Sequence, residues 1–167
     1  TGVNMPLWQA PAVVPIAAWP TTTASWSIYN ANTAKYLVII KASAMMESGT
    51  AGLGGALIGC VAVGDQTAET ANYSGAVISC LDGSAKVPSA FLANATTLVG
   101  TQSAWHVLAN VDLLAVVSVG AGITAIIDGL MIVPPRGCAG FDILAPLGTA
   151  AKWDFSLVFA EVLLDLA

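Results

Sequence analysis

The sequence predicts an all-β protein: a β-sandwich or jelly roll of about 8–10 short antiparallel strands with an extended N-terminal arm. Three observations predict it. Runs of β-branched and aromatic residues recur at strand length. Turn residues punctuate those runs every 8–12 residues or so. Prolines crowd the first 20 residues and space out afterwards. The chain therefore divides into an extended, Pro-rich arm over 1–23 and a β-sandwich domain over 24–167. At 167 residues it can bury a core without metal or disulfide support.

The arm comes first. Pro6, Pro11, Pro15 and Pro20 recur with Trp8 and Trp19 between them. Proline fixes φ and removes a backbone donor, so this stretch is extended rather than helical. Its Trp and Val side chains need apolar partners, either on their own domain or on a neighbouring subunit. Trp8, Trp19, Pro11 and Pro15 are the candidate inter-subunit contacts, because Trp tends to dominate contact energy.

From residue 24 the strands follow in order. Ala24 to Tyr29 alternates, with Trp26 and Ile28 on one face and Ser25, Ser27 and Tyr29 on the other. Asn30 to Thr33 is a polar turn. Tyr36 to Ile40 is a continuous apolar run between Lys35 and Lys41, suited to a buried strand, and the two strands are expected to form a hairpin. A glycine-rich loop spans Gly49 to Gly55, and a strand follows over Ala56 to Val63. Residues 64–74 are polar loop. Ala76 to Leu81 is a short strand ended by Asp82-Gly83, a strong turn signal. Phe91 to Leu98 fits a helical turn or a strand. Trp105 to Ala109 and Leu113 to Val119 are strands. Gly120 to Gly122 turns the chain, and Thr124 to Val133 returns.

The last third is the clearest. Pro134-Pro135-Arg136-Gly137 stops one strand, Phe141 to Leu144 forms the next, and Pro146 to Thr149 turns. Trp153 to Leu163 then puts Trp153, Phe155, Leu157 and Phe159 on one face, with Asp154, Ser156 and Val158 on the other. A helix would smear those four large side chains around its circumference.

Composition narrows the function. Hydrophobic residues make up 56% and charged residues only 9% of the chain, against about 25% charged in a typical soluble domain. A chain so poor in charge associates through its weakly polar surfaces. A membrane span needs roughly 20 apolar residues in a row. The best window, Leu113 to Ile127, is shorter, strand-forming and broken by Gly120 and Gly122. No basic n-region and apolar h-region open the sequence, so no signal peptide is expected. The net charge is −5, and the five basic residues Lys35, Lys41, Lys86, Arg136 and Lys152 are scattered. Neither a membrane nor a nucleic-acid partner is expected.

Catalytic chemistry finds little purchase. His106 is the only histidine, and a triad or metal site would need all its partners from distant segments. Asp154 and Glu161 stand seven apart on one strand, so they face opposite sides and are over roughly 20 Å apart. Asp112 and Asp128, at opposite ends of an apolar hairpin, could approach each other; solvated turn residues are the plainer reading. Gly52-Leu53-Gly54-Gly55 lacks the Lys-Ser/Thr of a phosphate loop. Cys60, Cys80 and Cys138 lack a zinc or disulfide-framework spacing and read as apolar fillers, with a Cys60–Cys80 bridge left open. Asn72-Tyr73-Ser74 and Asn94-Ala95-Thr96 match the glycosylation triplet and carry no weight without a signal peptide. Trp26 and Trp153 belong with the core. No catalytic residue, cofactor or metal is assigned, and an enzyme is not expected.

Two segments resemble small tailed-phage virion structural proteins with a jelly-roll-like fold. Ser27-Ile28-Tyr29-Asn30, a polar turn and Lys35 to Ile40 are similar to their opening strands. Ile132 to Gly137 through Trp153 to Glu161 is similar to their closing hairpin. The resemblance covers about a third of the chain, by strand counting. It implies a phage capsid decoration (cement) or spike subunit on the virion, with the major capsid protein or another virion protein as partner. Symmetric closure as a homo-oligomer, a trimer, would cover the low-charge faces. Two other classes stay open. One is an extracellular filament subunit joined by its N-terminal arm, against which the four prolines count. The other is a carbohydrate-binding or receptor-binding module, which requires exposed aromatics beside Asp or Asn.

Overall fold

A computed structural model describes residues 20, 22–50, 55–63, 90–98, 101–102, 105–111, 120, 122–144 and 149–164. Nine strands lie among them: β1 (Thr23–Asn30), β2 (Tyr36–Thr50), β3 (Gly55–Val63), β4 (Ala90–Thr97), β5 (Thr101–Gln102), β6 (His106–Val111), β7 (Gly122–Val133), β8 (Cys138–Leu144) and β9 (Thr149–Val162). No helix occurs among the described residues. The protein is all-β, with two antiparallel sheets. One runs β4-β1-β8-β3-β5, with β6 also pairing β3; the other runs β7-β2-β9. Three strands exceed the short lengths expected from sequence: β2, β7 and β9 hold 15, 12 and 14 residues. The expected strands over 76–81 and 113–119 lie outside the described residues, as do residues 1–19 and 21 of the arm expected over 1–23, whose last residue, Thr23, opens β1.

The two sheets share one apolar core. Ile28 of β1, Leu57 of β3 and Phe141 of β8 meet Leu37 and Ile39 of β2 and Ile123, Ile127 and Val133 of β7. Period two delivers these residues. In β7, Ile123, Ala125, Ile127, Met131 and Val133 are buried, while Thr124, Ile126, Asp128 and Leu130 are exposed. On β9, Trp153, Phe155, Leu157 and Phe159 all pack against this core, as the alternation predicts. Phe91 to Leu98, ambiguous in sequence, is strand over Ala90–Thr97.

The long strands contain an irregularity that keeps the faces in phase. Ile39 and Lys41 of β2 pair with Phe159 and Val158, neighbours on β9, so Ile40 is an extra residue. Without that bulge the inward set of β2 could not pass from Leu37 and Ile39 to Ala42, Ala44 and Met46. Opposite it, four residues of β7, Ile127 to Leu130, stand between the partners of Lys41 and Ile39. There Asp128 and Gly129 take φ of 53° and 81°. An Asp-Gly pair suits such left-handed backbone. The dipeptide is visible in the sequence, but the apolar run around it reads as an uninterrupted strand.

Two expected hairpins are overturned. β1 belongs to the larger sheet and β2 to the smaller, so the turn between them crosses from sheet to sheet. Likewise β8 and β9 lie in different sheets, and β9 pairs with β2 instead. The reason is the core: Trp26 and Ile28 face Leu37 and Ile39 across it rather than lying beside them. Asn30 fixes the crossing. Its fully buried Nδ2 donates to the carbonyls of Lys35 (2.8 Å), Pro134 (3.1 Å) and Val133 (3.3 Å). Its Oδ1 accepts from the Asn32 N–H at 3.1 Å. Asn32 Oδ1 in turn accepts from the N–H groups of Ala34 and Lys35, both at 2.9 Å. The backbone of Asn30 also bonds Arg136 and Gly137, at 2.8 and 2.9 Å. One asparagine thus ties the β1–β2 corner to the β7–β8 corner.

The pairings nest. β1 pairs β8, β2 pairs β7 and β3 pairs β6, all antiparallel, while β8 also pairs β3. From β1 and β8, successive strands therefore pair inward along the chain.

Candidate functional site

A cleft opens where the sheets part at one side of the core. Trp26 and Ser27 of β1, Leu92 and Ala93 of β4, and Trp153, Asp154 and Phe155 of β9 line about 240 Å³ of space. β4 and β9 are the outermost strands of their sheets among the described residues, which is why the cleft lies at an edge. The aromatic side chains come from two sheets. Trp26 stacks on Phe155 with ring centroids 5.1 Å apart and planes 14° apart. Phe155 also meets Phe141, 5.0 Å away and tilted by 36°.

Trp26 and Trp153 are core residues by sequence. Both do pack against the core, yet both are only half-buried and line the cleft. Sequence places each on the apolar face of its strand but gives no sign that they meet. The pairing of β9 with β2, across the core from β1, brings them together.

A second feature is the outward face of the smaller sheet. Val38 lies beside Ile132 and Ala160, and Lys41 beside Ile126 and Val158. Ile126 and Leu130 are 68% and 74% exposed, and Ile40 and Met45 are 39% and 48% exposed. The face therefore exposes these apolar side chains beside Lys41 and Asp128, with a polar row of Thr124, Ser43 and Ser156 between Ile126 and Met45. Sequence reading misses it because Tyr36 to Ile40 reads as buried on both sides. Alternation in β7 is the available signal, since it puts Ile126 and Leu130 opposite the core set.

The outward face of the larger sheet differs. Ile58, Cys60, Ala62 and Cys138 are buried beneath Leu98 and Trp105, forming a second small core. The Trp105 Nε1 is buried there without a hydrogen-bond partner. Cys60 and Cys138 are both buried. Burial pushes the Cys60 thiol up to about 12, against a weaker opposing bond from Gly140, so it is a poor nucleophile. Cys80 lies outside the described residues.

The remaining candidates do not converge. His106 sits on β6 opposite Gly59, and burial lowers its pKa. Asp154 is exposed on β9, while Glu161 lies 4.0 Å from Lys35. Asp128 is exposed at the left-handed kink of β7. Asn94 belongs to β4. Asp112, Asn72 and Gly52 to Gly54 lie outside the described residues, as do Trp8, Pro11, Pro15 and Trp19. Among the described residues no three His, Cys, Asp or Glu side chains cluster as metal ligands, and no helix is long and apolar enough to cross a membrane. Asp142 of β8 is a half-buried carboxylate. It accepts from Ser25 Oγ at 2.8 Å and from the Ile143 N–H at 2.7 Å. Burial raises its pKa, and those two bonds oppose the rise.

No protein family, no curated protein and no solved structure matches the chain.

Proposed function

We propose that this protein is a non-enzymatic structural subunit that assembles with other protein chains through its low-charge β-sheet surfaces. The single observation that carries the reading is the apolar outward face of β7-β2-β9, where Ile126 and Leu130 are 68% and 74% exposed. Exposed apolar patches bounded by polar residues mark interaction surfaces. With only 9% charged residues in the chain, little else keeps such a face in water.

The setting proposed is a virion, with the chain as a phage capsid decoration or spike subunit of jelly-roll type. Two things support it. The two stretches resemble small tailed-phage virion proteins in sequence, which supplies the type, although the closing stretch forms no hairpin. The nested antiparallel pairs β1–β8, β2–β7 and β3–β6 are three of those from which a jelly-roll ribbon is wound, while β4 pairs β1 rather than β5. Symmetric closure into a homo-oligomer, here a trimer, would bury the patch.

Sedimentation equilibrium of the wild-type chain and of the Ile126→Lys, Leu130→Lys double variant tests the reading. Both positions point to solvent, so the variant should fold within about 0.5 kcal/mol of wild type. The expected result is a multi-copy wild type and a variant whose association weakens at least tenfold. A wild type that stays single-copy up to high concentration would overturn the proposal.

A further inference from the structure

We infer that the Asp128-Gly129 kink of β7 is a self-modification site, where the chain isomerises Asp128 to isoaspartate through a succinimide ring and so alters the outward face of the smaller sheet. The effect on that face rests on the subunit reading above.

The chemistry needs only the chain and water. The Gly129 nitrogen attacks Cγ of the Asp128 carboxylic acid. An N–Cγ bond forms, the Cγ–OH bond breaks, and the hydroxyl leaves with the amide proton as one water. A second water then opens the ring. Addition at Cγ restores aspartate. Addition at the main-chain carbonyl carbon leaves the chain running through Cβ and Cγ, as isoaspartate. One water is lost and one is gained, so composition is unchanged and one carboxylate remains.

Two things ordinarily protect an aspartate from this ring closure. A bulky following side chain shields the attacking nitrogen, and a strand ladder holds the backbone in place. Asp142 and Asp154 have both. Ile143 and Phe155 follow them, and they pair with Ile58 and Met45 of the neighbouring strands. Asp128 has neither. Glycine follows it. Residues 127–130 have no partners in β2, because Lys41 pairs with Ile126 and Ile39 with Met131. Asp128 is also exposed, so water reaches the ring.

The fold requires the same dipeptide that makes the site reactive. Asp128 and Gly129 take φ of 53° and 81°, a left-handed backbone that suits glycine and, less often, aspartate. A Cβ on Gly129 would also stand 3.2 Å from Val38 Cγ1, tighter than ordinary contact. Position 129 therefore calls for glycine, and glycine leaves its nitrogen unshielded.

Ile126 and Leu130 flank the kink on the outward face, 68% and 74% exposed. Isoaspartate inserts one methylene into the backbone between them and frees an α-carboxylate there. Side-chain placement along a strand follows backbone register, so the two exposed side chains lose their spacing. Copies carrying isoaspartate associate more weakly.

The test keeps the full chain folded in warm buffer for several weeks beside a synthetic peptide of residues 122–133. Electron-transfer fragmentation, which cleaves isoaspartate at its Cα–Cβ bond, reads the modified fraction. The expected result is isoaspartate at position 128 of the folded chain at no less than a tenth of the peptide's rate, with at least tenfold less at Asp142 and Asp154. A slower rate at position 128, or amounts at the other two that match it, would overturn the site. Sedimentation equilibrium then compares fresh and aged chain. Isoaspartate-bearing chain should associate at least fivefold more weakly. An Asp128→Glu variant, which can close only a slower six-membered ring, should keep its association on ageing. Isoaspartate without a change in association, or equal weakening of the Asp128→Glu variant, would overturn the effect on the face and leave the subunit reading intact. A fresh chain that is single-copy would overturn the subunit reading and that effect, but not the modification.

Discussion

Trp26 and Phe155 lie face to face, 5.1 Å between ring centroids and 14° from parallel, and they belong to different sheets. Trp26 comes from β1, in the middle of the larger sheet, and Phe155 from β9, at the edge of the smaller one. The stack therefore closes the core at the side where the cleft opens. Phe155 also touches Phe141 of β8, so three aromatic rings bridge the two layers. Replacing Phe155 by Ala should cost about 2–3 kcal/mol, below the 3–5 of a fully buried Phe, because Phe155 is half-buried. Phe155→Leu should cost less than Phe155→Ala. Denaturant midpoints at constant slope would check both.

Asn30 bonds three carbonyls and one N–H while fully buried. Asn30→Ala removes those bonds; the Pro134 carbonyl keeps the Gly137 N–H at 3.0 Å, and the cost is about 3 kcal/mol if one or two of the other groups are stranded from water. Asn30→Asp should be worse at neutral pH. It would set a carboxylate against the carbonyl oxygens of Lys35, Val133 and Pro134, where the amide now donates. Thermal unfolding of both variants would rank them; an unchanged midpoint for Asn30→Ala would show that the corner holds without it.

Asp142 makes stability depend on pH. Its folded pKa is raised above the ordinary 3.8, chiefly by burial. The folded state therefore binds the proton more tightly than the unfolded chain. The resulting stabilisation is fully present below about pH 3.8 and is lost as pH rises through the raised folded value. Asp142→Asn keeps an acceptor for Ser25 and Ile143 and removes the titration. The variant should gain on wild type as pH rises through that window, read from unfolding free energies at several pH values. Parallel curves would contradict the assignment.

Much of the fold is legible strand by strand. β9 and β7 can be read from alternation, because each has one face on the core and one away from it. β3 and β8 are legible from β-branched and small apolar runs, since both faces of their sheet are covered in places. The site is not legible in the same way. A strand's face can be read along the chain, but nothing local says which strand will lie across the core from it. Trp26 and Trp153 each belong to the core on this ground, and the cleft they share emerges only once the partner of β9 is known.

By itself, the sequence determined the strand content, the phase of each long strand and the scarcity of charge, because backbone period and side-chain polarity are local properties. Tertiary structure alone decided that β1 and β2 part into different sheets, that β9 joins β2, and that Asn30 is buried at the crossing. Those outcomes depend on which apolar faces bury each other most completely and on whether the backbone groups left at the corners find partners. Both are settled by contacts between residues a hundred or more positions apart, such as Asn30 with Pro134.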